Sequence, residues 1–514
     1  MTMGGGIVTG AKGAITLVAM AAALMAFIDV SIVTTALTDI RASFGTPLDQ
    51  IGWVTTGYMM ANIVVIPLTG WMQRRFGYRN YFSASIVLFT VASALCGLAW
   101  DLPSLVVFRA IQGLGGGAII PTAQAIMLAR YPRAEHGMAA GVFGLAAVAG
   151  PHLAPTIGGY LIAWSNWHWI FLVNVPIGIV VAIASRRVIV EPGFAPARDP
   201  IDLFGIGLLA VGMPSLQYVL EEGNRAGWTE SRLIIILMAV AAIALTTFVL
   251  HELETEHPVV NLRVFTNASY AAGTGINFLT GMAIFGSSYL FALYCGTVMH
   301  YTALQIGEIF LLPGLVQLFL MPLIGKLSPK ADGRLFLVIG ITVVSASLYA
   351  SSLLTSEAGF ADLEIPPMMR SAGIGFIVIP VTLLALSDLS PREQAGATGL
   401  FALTRELGGS LGTAWMGMLV ADGATRNASR LAENVTAYNA VAEAQYGAFA
   451  RGVGPLAWTS QSIPEAVLDF KVRAEALVLS FGEGFRLTAL VFAVGLLLVP
   501  LLKRAKPGAV VHAH

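Results

Sequence analysis

The chain has 514 residues, of which 56% are hydrophobic and 11% charged, and its 29 Lys and Arg balance 29 Asp and Glu. A soluble domain carries about a quarter charged residues, so this composition, with a mean hydropathy of +0.77, excludes a soluble enzyme or binding module and points to an all-α integral membrane protein. Zero net charge argues against a nucleic-acid partner, and Cys96 and Cys295, both inside apolar runs, offer neither a disulfide framework nor metal-ligand spacing.

The first apolar run, from about Ala14 to Leu37, is too long for a signal-peptide core and contains Asp29, so it predicts a first membrane span at 14–38. Spans follow at 50–72, 80–100, 104–129, 137–163, 168–187, 202–221, 233–251, 270–297, 304–327, 335–355, 365–387, 395–421 and 486–503. Fourteen helices of roughly 20 residues use about 280 positions, leaving short connections and one long one. That long segment, 421–484, is mixed in charge and rich in Ala, Asn and Gln. Connections of this length are uncommon without a task, and 431–447 and 464–480 suggest short helices within it. Trp164, Trp167 and Trp169 read as interfacial anchors.

With the N-terminus in the cytoplasm, one set of loops and tails holds Lys12, Arg74, Arg75, Arg79, Arg130, Arg133, Arg186, Arg187, Arg198, Arg263, Lys326, Lys330, Arg334, Arg392, Lys503, Arg504 and Lys506. The short loops on the other side hold only Arg41, Arg225 and Arg232. The positive-inside rule therefore places both termini in the cytoplasm and 421–484 outside.

The chain repeats itself at an offset of about 255–261 residues. Pro67-Leu68-Thr69-Gly70 is matched by Pro322-Leu323-Ile324-Gly325. Arg109 with Gly113, Gly115 and Pro121 is matched by Arg370 with Gly373, Gly375 and Pro380. Pro132-Arg133 with Gly137 and Gly141 is matched by Pro391-Arg392 with Gly396 and Gly399. A six-helix repeat alone would give an offset nearer 200, so two inserted helices separate the halves. The expected organisation is an N-terminal bundle at 14–187, two linker helices at 202–251 and a C-terminal bundle at 270–503. Duplicated bundles of this kind build many secondary transporters. A central cavity is then expected between spans 1, 2, 4, 5 and their partners 9, 10, 12, 13, with spans 7 and 8 at the periphery.

An ionisable group deep in a span is costly and by default suggests function. Asp29 is such a group, and a carboxylate there can exchange a proton for a cationic substrate. Arg109 lies about 8 Å into the fourth span and Asp29 about 14 Å below the same end of the first, close enough to communicate directly or through water. Arg370 is the repeat mate of Arg109. Arg405 and Glu406 lie mid-span but about 100° apart, so one lines the cavity while the other pairs elsewhere; Glu406 is a second proton site. Glu308 reads as interfacial, and His152 as a packing or hydrogen-bonding residue. In the fifth span Gly137, Gly141 and Gly144 share a face that permits close approach. Gly150-Pro151, Pro155, Gly158 and Gly159 favour a bend suited to a gate. Gly70, Arg74, Arg75, Gly77 and Arg79, mirrored at 325–334, suggest a cytoplasmic latch.

These stretches resemble the major facilitator superfamily, and within it the fourteen-helix drug:proton antiporters of the EmrB/QacA type. Phe27-Ile28-Asp29-Val30-Ser31-Ile32-Val33 resembles the acidic motif of the first helix, and residues 70–79 the loop motif after the second. Arg109-Ala110-Ile111-Gln112-Gly113 resembles the motif whose Arg is tied to proton transfer. Gly150-Pro151 through Gly158-Gly159 resembles the antiporter motif, and Trp169-Ile170-Phe171 with Asn174-Val175-Pro176 the start of the sixth helix. The long outer loop, with Tyr438-Asn439 and Gln445-Tyr446, is similar to EmrB more than to Gram-positive relatives. Arg74 stands where the loop motif usually has Asp, Ala154 replaces a Gly, His168 stands where Arg is common, and His152 is outside the pattern. The resemblance implies a bilayer-embedded, proton-driven exporter of hydrophobic or amphipathic drug-like compounds, needing no cofactor or metal, and working with a periplasmic adaptor and an outer-membrane channel. An exporter dedicated to a single metabolite or siderophore is the alternative. A membrane enzyme would need a metal cluster or nucleophile–base pair, which the sequence lacks; a scaffold would need neither Asp29 nor duplicated gate motifs.

Overall fold

A computed structural model of the chain describes residues 11–47, 50–132, 135–192, 194, 196, 200–328, 331–433 and 462–503. Its helices are α1 (Lys12–Phe44), α2 (Trp53–Cys96), α3 (Leu102–Arg130), α4 (His136–Trp164), α5 (Trp169–Leu172), α6 (Asn174–Val188), α7 (Leu203–Glu222), α8 (Arg232–Glu254), α9 (Ala268–Gly281), α10 (Ser287–Thr297), α11 (Ala303–Leu327), α12 (Gly333–Ser351), α13 (Phe360–Leu386), α14 (Pro391–Glu433) and α15 (Ser462–Ala493). A π-helical turn, Met282–Gly286, joins α9 to α10, and a 3₁₀ stretch, Val494–Leu501, completes α15. Among the described residues eleven helices are long and apolar enough to cross a membrane. One of these, α2, comprises two spans, and α4 and α14 complete the fourteen.

The turns between spans are set by specific residues. Asp101 accepts from the Ser104 amide at 2.8 Å and the Ser104 hydroxyl is within 3.2 Å of the Asp101 amide, a reciprocal cap that starts α3. Asp202 caps α7 and Asn267 caps α9 through their side-chain oxygens alone. The expected loop between the second and third spans shrinks to one residue. Gly77, at φ +80°, is the single non-helical position inside α2, a conformation open to glycine at little cost. The amides freed beyond it are met from a distance. Glu191, after α6, accepts from Tyr78 N at 3.0 Å and Arg79 N at 2.8 Å, a carboxylate on a helix start.

Three sequence expectations need correction here. The last span does not begin at 486 and the thirteenth does not end at 421: α14 and α15 run on and pair, so only 434–461 of the long segment lies outside the described residues. Arg426 meets Glu483 at 2.7 Å, and Asn427 donates to Ser480 Oγ at 3.1 Å. Polar pairing between two helices hides this structure from a hydropathy reading. The segment 464–480 is thus part of one long helix, and most of 431–447 falls outside the described residues. Trp167 is not an interfacial anchor. It is 3% exposed, edge-on to Phe44 at 5.3 Å and stacked on His168 at 3.7 Å, whereas Trp164 is 75% exposed.

Within the first six spans α1 packs on α4 and α2 on α3 and α6. Ile15, Phe82, Phe89 and Ile126 form one buried cluster there, and Ile32, Val54, Leu105 and Phe171 another. In the last six α12 packs on α13 and α15, and α11 on α13, around Tyr270, Phe291, Ile341, Ile377 and Phe485. Two seams join these sets, α4 with α11 and α2 with α14. The glycines explain where they close. A Cβ on Gly141 would lie 2.9 Å from Met321 O, one on Gly325 2.5 Å from Gly137 O, and one on Gly399 2.8 Å from Ile66 O. All three approaches lie toward the ends that carry Arg74 and Tyr131. Toward the opposite end a Cβ on Gly159 or Gly307 would meet nothing. Gly150 and Gly158 face α1 instead, at Phe27 and Ile32.

Helix α8 turns most of its surface outward, but α7 does more than link the halves. On one side Tyr218 meets Trp53 of α2 at 5.1 Å. On the other, Ser410 of α14 donates to Gln217 at 3.1 Å and Asn224, just past α7, donates to Ala414 O at 3.1 Å. α7 thus lies against the α2–α14 seam.

Gly325→Val is expected to force the α4–α11 seam apart at its Arg74 end, because overpacking costs roughly 1–3 kcal/mol. Spin labels on the Arg74-side ends of the two helices should report a longer distance than in the wild type. An unchanged distance in a folded variant would refute this account of the seam.

Candidate functional site

Near the middle of α1, Asp29 turns toward α2, α3 and α6 and is 0% exposed. Arg109 of α3, also 0% exposed, places Nη1 2.7 Å from Asp29 Oδ2. The contact is direct, so the unequal depths read from the sequence resolve into one buried ion pair. Gln112, one turn along α3, donates to Asp29 Oδ1 at 2.9 Å, and Asn174 at the start of α6 donates to the same oxygen at 2.8 Å. Arg109 also donates to Gln112 Oε1 at 2.7 Å and, through Nε, to Val54 O at 3.2 Å. Its guanidinium lies 4.2 Å from the Tyr58 ring centre and 5.7 Å from that of Phe171, which favours a cation over the ring faces. Only Nη2 lacks a hydrogen-bond partner. Ser93 of α2 completes the shell, lying 3.2 Å from Asn174 Nδ2 and donating to Phe171 O at 2.9 Å.

The glycine run of α3 makes this geometry possible. A Cβ at Gly113 would collide with the Tyr58 carbonyl, one at Gly116 with the Tyr58 hydroxyl, and one at Gly117 would lie 2.6 Å from Asn62 O. Without side chains there, α3 comes close enough to α2 for Arg109 to rest on Tyr58. Chemically, the site holds one carboxylate whose charge is matched by one guanidinium and whose oxygens are otherwise held by amides. Protonating the carboxylate would remove the charge that holds Arg109 Nη1.

The other singled-out residues do not join this cluster. Glu406 is half-buried on α14 beside Arg405 and lies within electrostatic reach of Tyr58 of α2, without bonding to the pair. Arg405, also half-buried, presses its carbonyl on Gly281. Arg370 is 3% exposed with Nη1 unbonded. Glu308 is exposed, and the side chain of His152 lies outside the described residues. Tyr78 and Arg79, just past Gly77, are tied through their amides to Glu191, while the Arg74 guanidinium lies 3.7 Å from the Cβ position of Gly396 in α14. Arg74 therefore sits where α2 meets α14, with Gly70 and Arg75 near it along α2. Among the described residues no group of three His, Cys, Asp or Glu could hold a metal ion.

Sequence reasoning missed Gln112, Asn174, Tyr58, Ser93 and Glu191 as site residues. Gln112 was available as the residue three after Arg109, on one helix face, and Asn174 as an amide inside an apolar span. Nothing local marks Tyr58 or Glu191.

A profile of the Major Facilitator Superfamily matches residues 19–413. The chain is 32% identical over 493 residues to the multidrug export protein EmrB of Haemophilus influenzae, covering 95% of each. It is 31% identical over 488 residues to EmrB of Escherichia coli, covering 95% of this chain and 94% of that one. The fatty acid resistance protein FarB of Neisseria gonorrhoeae is 29% identical over 487 residues, with the same coverage. Among solved structures, the human organic anion transporter MFSD10 superposes with a TM-score of 0.62 at 12% identity, over 94% of this chain and all of that one. The proton:xylose symporter XylE gives 0.58 at 13%, over 93% and 94%. The chain belongs to the major facilitator superfamily and is a multi-pass membrane transporter of the fourteen-helix EmrB type, not an enzyme.

Removing one partner of a buried ion pair strands the other and typically costs about 3–5 kcal/mol. Arg109→Ala is therefore expected to lower the melting temperature of the detergent-solubilised protein clearly. The same change in an Asp29→Asn background should cost less. Equal losses in the two backgrounds would show that the two side chains do not interact energetically.

Proposed function

We propose that the protein exports hydrophobic or amphipathic small molecules across the inner membrane in exchange for protons, by alternating access, with both termini in the cytoplasm. The observation that carries this reading is the Asp29–Arg109 pair, a carboxylate and a guanidinium with no exposure to water, at 2.7 Å, closed by Gln112 and Asn174. A proton reaching Asp29 neutralises it and loosens α1 from α3. Arg109 keeps Gln112 and the Tyr58 ring as partners, so the loss falls on the contact between helices. Each proton entering contributes about 2.3 kcal/mol per 100 mV. Glu406, across the seam, serves as the second proton-exchanging carboxylate.

The moving bodies are 14–187 and 270–503, joined by 202–251. The glycine contacts of α4 with α11 and of α2 with α14 support this, because backbones in direct contact at one end and open space at the other suit a rocking pair. Gly141, Gly144, Gly150, Pro151, Gly158 and Gly159 act as the gate, and Gly70, Arg74, Arg75, Gly77 and Arg79 as the latch at the closed end. The basic loops support the orientation. Relatives named for multidrug export support a broad cargo range, while the gonococcal relative's name points to fatty acids, a narrower range. Partners are a periplasmic adaptor and an outer-membrane channel, for which the α14–α15 hairpin and 434–461 form the docking element.

Asp29→Asn is expected to insert and fold yet abolish transport driven by a pH gradient in proteoliposomes. Asn keeps the size of the side chain and most of its hydrogen bonds but cannot exchange a proton. Uphill transport at the wild-type rate would remove Asp29 from the coupling role. Replacing 434–461 by a few Gly and Ser residues should spare proteoliposome transport but lower drug resistance in intact cells. Loss of both in a folded variant would make the segment part of the transport cycle.

A further inference from the structure

The repeat mates Arg109 and Arg370 have opposite circumstances. Arg109 is neutralised by Asp29. At the offset that relates the halves, the position of Asp29 falls at 284–290, which reads Ile-Phe-Gly-Ser-Ser-Tyr-Leu and holds no acid. The backbone there leaves the α-helix for the π turn Met282–Gly286, a feature found often at functional sites. Among the described residues no hydrogen bond, ion pair or aromatic ring reaches the Arg370 guanidinium, and its Nη1 is buried without a partner. The acids closest in sequence lie early in α13, where Asp362 accepts from Gly359 N at 3.0 Å as a helix cap. Arg370 shares its helix face with Leu363, Ile374, Ile377 and Val381, all buried in the C-terminal core. Among the described residues polar contacts flank it without reaching it: one turn earlier Ser347 of α12 donates to Pro366 O at 2.6 Å, and at the next residue Gln317 of α11 donates to Ser371 O at 3.4 Å.

A guanidinium withdrawn from water without an anion carries a heavy desolvation cost. Arginine in such surroundings is suited to a planar oxyanion bound through two N–H groups. We propose that Arg370 is an anion receptor, binding the carboxylate or phosphate head of an amphipathic molecule. The ligand is a transported compound or a lipid headgroup, and the chemistry of recognition is the same for both. Taking it as cargo rests on the export reading, whereas binding itself is measured without a proton gradient and is independent of coupling at Asp29.

The test uses purified full-length protein in nanodiscs of phosphatidylcholine, with decanoate and decyltrimethylammonium as probes of equal chain length. Arg370→Gln should bind decanoate at least about tenfold more weakly and the ammonium compound unchanged, with Arg370→Lys in between. Decanoate should raise the melting temperature of the wild type but not of Arg370→Gln. Unliganded Arg370→Gln should melt no lower than the wild type, since it removes an uncompensated charge. Competition by added phosphatidylglycerol would assign the site to a lipid headgroup, and lack of competition to the free amphiphile; both support the receptor. Equal decanoate affinity in the two proteins, parallel loss of both probes, or a lower melting temperature for unliganded Arg370→Gln would overturn it.

Discussion

Two opposite charges shut away from water at 2.7 Å constrain how the first six spans meet. Such a pair is tolerable only where the remaining lone pairs and protons are also met. Asp29 comes from α1, Arg109 and Gln112 from α3, Asn174 from α6, and the Val54 carbonyl, Tyr58 and Ser93 from α2. Satisfying one carboxylate therefore fixes four helices against one another. The glycines of α3 follow from this requirement, since any side chain at Gly113 or Gly116 would hold Arg109 off the Tyr58 ring.

Small residues play a second part where the two sets of spans touch. Between membrane helices there is little hydrophobic drive to associate, so packing at close range has to supply the contact. Gly137, Gly141, Gly325 and Gly399 allow backbone to meet backbone at one end of the bundle, and nothing comparable holds Gly159 or Gly307 at the other. Arg74 stands at the closed end beside Gly396, and Glu191 secures the turn from which it projects. Helix α7 acts at the opposite end. It reaches α2 through Tyr218 and α14 through Gln217, with Asn224 just beyond it, so the inserted helix bridges the α2–α14 seam, while Gly159 and Gly307 belong to the α4–α11 seam.

The duplicated halves have diverged in charge more than in shape. One has an acid opposite its arginine; in the other, the corresponding stretch holds no acid, the arginine lacks a partner among the described residues, and a π turn lies there. A repeat preserves helix packing through its glycines and prolines. The groups that carry charge are free to change once one half supplies the pair.

Much of this protein was legible before any coordinates. Apolar run lengths gave the spans, because lipid demands about 20 apolar residues per crossing. Basic loop residues gave an orientation, and the spaced glycines and arginines gave the duplication. Asp29 and Arg109 stood out because charge inside a span is expensive. The family resemblance rested on the same local stretches. The partners were not legible: Asn174 and Tyr58 reach Asp29 and Arg109 across more than 50 residues, and no local pattern encodes that distance. Nor was the pairing of α14 with α15, where polar residues on two helices satisfy each other and mimic a loop in any hydropathy reading. The position of α7 and the isolation of Arg370 were equally hidden. The sequence determined where helices form and which charges lie in the membrane. Tertiary packing alone decided which of those charges are matched, because a partner is a matter of distance in space and not of spacing along the chain.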